Sequence, residues 1–148
     1  VVIAMKKIAD NSQRQAIFDK HFEQMLQDFR RRVITAEQVL AESVDRRSRA
    51  YIGSELASAC NQLAWLLSMC GMHGEEAVNL SRRSLEFRPD EPAFLDTMAR
   101  CQFSAGRINE AIQSQKDALA LVPHDRQMKL QLAEFEAALK AQSDATSE

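Results

Sequence analysis

The chain has 148 residues, 45% of them apolar and 27% charged, with a formal net charge of -2. That length allows one domain, or one domain with an appended helical region, and the near-balanced charge selects no partner through whole-molecule electrostatics. No run of about 18 apolar residues occurs, so no membrane-spanning helix is expected. Pro (3) and Gly (4) are scarce, while Ala, Leu, Glu, Gln, Arg and Met are plentiful, a mixture that favours helix throughout. Cys60, Cys70 and Cys101 make an odd count without disulfide-rich spacing. They read as reduced, mostly buried thiols, which favours a reducing, cytoplasmic setting.

Residues 1–10, VVIAMKKIAD, form a short apolar lead-in. They carry no initiator Met and are too short for a secretory signal, so they read as the cut end of a longer parent chain. Ile17 or Phe18, Phe22, Met25, Leu26, Phe29 and Val33 then recur with helical spacing, which predicts an amphipathic helix over about 12–33. Lys20, Glu23, Gln27 and Arg31 occupy its opposite face. Thr35 and Gln38 have the spacing of a capping box, which predicts a new helix from there to about Val44. Another helix is predicted from near Arg46 to Cys70, with Gly53-Ser54 as a point of interruption.

The cluster Cys70-Gly71-Met72-His73-Gly74 reads as a turn, because glycine accepts the left-handed conformation that ends a helix. Glu75 and Glu76 fall in the first turn of the next helix, where negative charge suits the helix dipole. That helix ends near Arg88, before Pro89. Asp90 is the expected cap of its successor, and Pro92 lies in the first turn, where a missing N–H costs nothing. This helix runs to about Ala105, Gly106 makes the turn, and residues 107–121 form its partner before Pro123. A last helix, about 125–140, aligns Met128, Leu132, Phe135 and Leu139. The polar tail 142–148 is expected to be disordered. The result is an all-α chain of about seven helices.

The second half repeats itself. Glu76-Ala77-Val78 recurs 34 residues later as Glu110-Ala111-Ile112, Ser84-Leu85 as Ala118-Leu119, Phe87 as Leu121 and Pro89 as Pro123. A fixed period of this length in a helix-rich stretch points to helical hairpins stacked side by side. The pattern resembles the tetratricopeptide repeat family. In the unit 92–125, Leu95, Met98 and Ala99 match its large, large and small first-helix positions. Gly106 matches the turn glycine, Ala111 and Ala118 the small positions of the second helix, and Pro123 the closing proline. The unit 57–91 matches through Cys60, Leu63, Ala64 and Leu67 if its turn at 70–74 is one residue longer, and then through Ala77, Ser84 and Pro89. Leu67 and Gln102 stand where the family usually has an aromatic, and Cys60 where Trp is common. The resemblance implies a right-handed α-α superhelix over 57–141, with the helix at about 125–140 as a solvating cap. Two repeats bury too little on their own, so residues 1–56 are expected to pack on them.

In the resembling family the first helices of successive units line a concave groove. Carried over position by position, that groove displays Asn61, Trp65 and Ser68 from one unit and Asp96, Arg100 and Phe103 from the next. Trp, Arg and Phe dominate binding energy at interfaces. The leading expectation is therefore a non-enzymatic protein-interaction or scaffold module that holds a peptide or helix partner in this groove. The alternative for Trp65 and Phe103 is packing against a neighbouring helix. The lysine- and asparagine-rich clamp with which some family members hold a terminal carboxylate is absent, so a chaperone-tail receptor is not expected.

A second class of function is self-association, or docking to the parent chain, through the Phe18–Val33 stripe or an open repeat edge. A third rests on Arg30-Arg31-Arg32, Arg46-Arg47 with Arg49, and Arg82-Arg83 with Arg88, which would suit an acidic protein or RNA if the fold gathered them. The favoured reading of these arginines is solvated helix faces paired with nearby acids, so nucleic acid is not the expected partner. Cys70 and His73 have metal-ligand spacing but no second pair of ligands. His21, His73 and His124 lack a supporting nucleophile motif, and no Gly-rich phosphate loop occurs. No catalytic residue, metal or cofactor is expected.

Overall fold

The computed structural model describes residues 12–71 and 73–145, without the side chains of 12–16 and 18. The apolar lead-in at 1–10 and the final three residues lie outside this range. The described residues form six helices and no strand: α1 (Ser12–Glu42), α2 (Arg46–Met69), α3 (Gly74–Phe87), α4 (Pro92–Ser104), α5 (Ile108–Leu121) and α6 (Arg126–Ala145). Each helix packs on the next in sequence, and α2 also meets α4 directly. The architecture is an all-α array of antiparallel hairpins, α2–α3 beside α4–α5, with α1 against α2 and α6 against α5.

Two expected helices are one. The chain runs without a break through Thr35, so α1 spans 31 residues. The reason lies in its apolar face. Phe22, Leu26, Val33 and Leu40 are all buried, with Met25, Phe29 and Ala36 packed against the same core. Val33, Ala36 and Leu40 continue the stripe past Thr35 at intervals of three and four, so a break there would turn Leu40 away from α2. A Thr-x-x-Gln spacing also joins neighbouring turns inside a helix, and here that is all it does. The helix ends at Ser43, whose hydroxyl donates to the Val39 carbonyl at 2.6 Å. Arg49 of α2 then donates to the Leu40 and Ser43 carbonyls at 3.2 and 3.0 Å, satisfying the exposed end of α1. Asp45 caps α2 by accepting from the Ser48 amide at 2.8 Å.

Gly53 does not interrupt α2. It makes room instead. A Cβ placed there would stand 2.6 Å from Cδ1 of Phe87, at the end of α3. The missing side chain is a socket for that ring, which also carries the Arg83 guanidinium 5.0 Å from its centroid. Asp90 likewise does not cap α4. The N-cap position falls on Glu91, which makes no side-chain cap bond, and Pro92 opens the helix as expected. At the far end α6 continues to Ala145, into the stretch expected to be a disordered tail.

The two hairpins bury equivalent positions. Ala64 and Ala99, 35 residues apart, are fully buried, as are Ala77 and Ala111, and Ser84 and Ala118, each pair 34 apart. These are the places where helix backbones approach most closely, and a small side chain is what the approach allows. The offset changes from 35 to 34 within the turn. Gly71 (φ 63°) and Gly106 (φ 79°) both end their helices in the left-handed conformation. From Gly106 the chain needs one residue before α5, but from Gly71 it needs two before α3. The extra length is taken up with His73, the N-cap of α3, itself left-handed at φ 51°.

The two acids at the start of α3 tie three elements together. Glu76 receives a bidentate pair from Arg30 of α1, with both contacts at 2.8 Å. Glu75 receives Arg107, at the start of α5, at 2.7 Å on each oxygen. The hydrogen bond from Arg30 is the main reason the Glu76 carboxyl sits below its usual range.

Two substitutions test this packing. Gly53→Ala gains about 1 kcal/mol of helix propensity but drives a methyl into the Phe87 ring, at a cost of about 1–3 kcal/mol. A net loss of stability is expected in chemical denaturation, and Phe87→Leu in the same chain should recover part of it. A Gly53→Ala chain more stable than the parent would show that no socket exists. Ala111→Leu should overpack the junction of α4, α5 and α6, where Ala99, Ala111 and Phe135 form a buried cluster, and lower stability by about 1–3 kcal/mol. Unchanged thermal unfolding would remove Ala111 from that contact.

Candidate functional site

The six residues expected to line a groove lie on α2 and α4, and the structure divides them. Ser68 is 6% exposed, and its hydroxyl donates back to the Trp65 carbonyl at 2.8 Å. Asn61 is half-buried, and its side-chain carbonyl oxygen is buried with no hydrogen-bond partner. Trp65 is 48% exposed. The other three side chains, Asp96, Arg100 and Phe103, meet α6.

That meeting is dense. Phe135, the one buried side chain of α6, is gripped from α4 on two sides. Phe103 stacks on it with ring centroids 4.4 Å apart, and the Arg100 guanidinium lies 5.3 Å from its centroid. Arg100 also donates to the Glu134 carboxylate at 3.1 and 3.3 Å and to the Gln131 side-chain carbonyl at 2.5 Å. Arg100 and Phe103 therefore do hold a helix, and it is the chain's own. The two aromatics weighed together in the sequence thus part company: Phe103 packs internally, whereas nearly half of Trp65 faces solvent.

Below this contact lies a hydrogen-bonded network with no counterpart in the repeat pattern. Gln115 of α5 is fully buried. Its Nε2 donates to Asp96 Oδ1 at 2.8 Å and to the Met128 carbonyl at 3.3 Å. Its Oε1 accepts from Gln131 Nε2 at 2.9 Å, and the same Gln131 nitrogen reaches Asp96 Oδ1 at 3.1 Å. A buried amide left unmatched would cost about 1–3 kcal/mol, so these partners fix α4, α5 and α6 in one arrangement. The nearest sequence signal was Gln115 standing 34 residues after Ser81, which is also fully buried. Nothing in the spacing foretold Gln131.

Burial pushes the Asp96 carboxyl above its usual range, against the Gln115 hydrogen bond and the Arg100 charge, which pull it down. Burial likewise raises the Cys60 thiol to about 11 and the Cys101 thiol to about 12. Both thiols stay protonated near neutrality, the form that is a poor nucleophile. Among the described residues, no three His, Cys, Asp or Glu side chains gather as a metal site requires, and no helix is long and apolar enough to cross a membrane.

The arginine clusters are largely spent on the chain itself. Arg30 pairs with Glu76, Arg31 with Asp28, and Arg83 with Glu37 and Glu86. Arg88 pairs with Glu91, Arg82 with the Asn79 side chain, and Arg49 with the end of α1.

No protein-family model matches the sequence, and no curated protein matches it.

One pH-dependent test follows from the network. The folded Asp96 carboxyl titrates above its ordinary value of 3.8. Its contribution to stability is therefore fully present below that value and is lost as pH rises through the folded one. Asp96→Asn keeps an oxygen that can accept from Gln115 and Gln131, but no charge. Thermal melts should show the variant gaining on the parent at pH 7 and losing that advantage as pH falls toward about 4. A loss larger at pH 7 than near pH 4 would mean that the ionised carboxylate is required.

Proposed function

We propose that this chain is a non-enzymatic protein-interaction module, built of tetratricopeptide-like hairpins, that docks an α-helical partner on the exposed face of α2. The observation that carries this reading is Trp65. It is the chain's single tryptophan, it is 48% exposed, and Gln62 and Met69, one turn away on either side, are exposed with it. A half-exposed indole on a rigid helix supplies a large contact area at little entropic cost, which is why Trp anchors interfaces so often.

The grip on α6 supports the choice of a helix as the ligand. Asn61, Trp65 and Ser68 stand 35 residues before Asp96, Arg100 and Phe103. The later three hold a helix through one aromatic knob, flanking amides and a carboxylate. Of the earlier three, Trp65 stands at the position of Arg100 and keeps its indole exposed, whereas Ser68 and the Asn61 side-chain oxygen are buried. Binding through preformed helices leaves little ordering to be done when the partner arrives.

The experiment is panning a displayed library of helical peptides against the chain, with fluorescence anisotropy of labelled binders. Trp65→Ala should weaken binding tenfold or more, on the order of 2 kcal/mol for an anchoring indole. Arg100→Ala, whose guanidinium is already engaged with α6, should have a much smaller effect. Peptides that bind both variants like the parent would place the docking face elsewhere, and failure to select any binder would defeat the reading.

A further inference from the structure

The solvent-facing side of α2 is one unbroken line. Tyr51, Glu55, Ser58, Gln62, Trp65 and Met69 follow each other at steps of four, three, four, three and four. This is the spacing of a coiled-coil seam. From Ile52 onward the other residues of α2 are buried or half-buried, with Leu56, Ala57, Cys60, Leu63, Ala64 and Leu67 turned into the stack. Along the seam Tyr51 is 68% exposed and Met69 39%. Glu55 and Gln62 are also exposed, and Ser58 is half-buried. The seam is about 27 Å long at 1.5 Å per residue. Its apolar groups sit at both ends and its polar groups lie mostly between them.

We propose that this seam is covered by the same seam of a second copy, with the two α2 helices antiparallel across a two-fold axis. The proposal rests on the helix-docking reading above and names the helix. An axis passing midway between Ser58 and Gln62 puts Tyr51 opposite Met69 of the second copy, Glu55 opposite its Trp65, and Ser58 opposite its Gln62. Each pairing then occurs twice, as an isologous contact requires.

The chemistry of the three pairings is complementary. A thioether meets the Tyr ring, a favourable sulfur–aromatic contact. A carboxylate meets the indole N–H, which can only donate. The Ser58 hydroxyl donates to the Ser54 carbonyl at 3.1 Å, which leaves its oxygen lone pairs for the amide N–H of the opposing Gln62. The sense of the pairing is also fixed by charge. Antiparallel helices hold the two Glu55 carboxylates ten residues apart along the axis, about 15 Å, beyond the screening length of about 8 Å at physiological salt. Parallel helices would set Glu55 directly against Glu55, with no cation of the seam to offset them. A single pair of helices lies at the small end of specific interfaces, so association is concentration-dependent rather than obligate.

The test uses the whole chain. Light scattering across a concentration series should show a monomer passing to a dimer, with Trp65 emission shifting to the blue over the same range as the indole leaves water. Trp65→Glu and, separately, Met69→Lys should raise the dissociation constant tenfold or more while leaving the thermal melt in place. Register is read by oxidation in a Cys70→Ser background. Tyr51→Cys mixed with Met69→Cys should cross-link, and neither should cross-link alone. Self-linking of Tyr51→Cys alone would overturn the antiparallel pairing. A chain that stays monomeric with constant Trp65 emission would overturn self-association. If library-selected peptides still shift that emission, the docking face survives and only the second copy is wrong as its occupant. If they do not, both readings fall.

Discussion

Two helix backbones can come close only where neither carries a large side chain. Ala64, Ala77, Ala99, Ala111 and Ala118 are all fully buried in this chain, and the larger apolar groups fill the grooves around them. Leu63 and Met98, 35 residues apart and both buried, do this for α2 and α4. The same requirement explains Gly53, where even a methyl group would strike the Phe87 ring. Interiors packed to this density pass a misfit on to their neighbours rather than absorb it. One interlocking set of small and large positions therefore governs how α2 to α5 sit, and α1 and α6 take their places on the flanks that remain.

Those outer helices are secured differently. Little of α6 is buried beyond Phe135, and its orientation depends on the hydrogen bonds among Asp96, Gln115 and Gln131 together with the Arg100 grip. Helix α1 buries a longer apolar stripe and is pinned at two points, by Arg30 on Glu76 and by Arg83 on Glu37. Partly exposed ion pairs add little stability individually. Their value here is directional, because a bidentate guanidinium–carboxylate contact tolerates little sliding of one helix past another. Apolar contact alone would permit several registers, and the polar contacts select among them.

Much of the hairpin layout was legible in the residues. Gly71, Gly106, Pro89 and Pro123 punctuate the chain, and helical spacing in between does the rest. The longer first turn was readable too, from the change of offset between Cys60–Leu95 and Glu76–Glu110. What the sequence concealed depended on neighbours. Thr35 and Gln38 look like a helix start until Leu40 is seen to share a face with Val33. Gly53 looks like a breaker until Phe87 fills the space above it. Carrying groove positions across by number put Ser68 on the surface, although it is buried, and gave no hint that Tyr51, Glu55, Gln62 and Met69 are exposed on the same helix. Helix α2 is apolar around most of its circumference, so its exposed line stands out only after α1, α3 and α4 have covered the remainder.

The turn between Met69 and Gly74 shows how this array can vary. It absorbs one more residue than its counterpart after Gly106 without altering the burial of Ala77 relative to Ala111, because the surplus is lodged in a left-handed step at His73. Changes of length in an exposed connection are tolerated far better than changes inside a helix. The junction is thus the natural place to graft an epitope or a reporter, since the loop can grow while the interior keeps its phase.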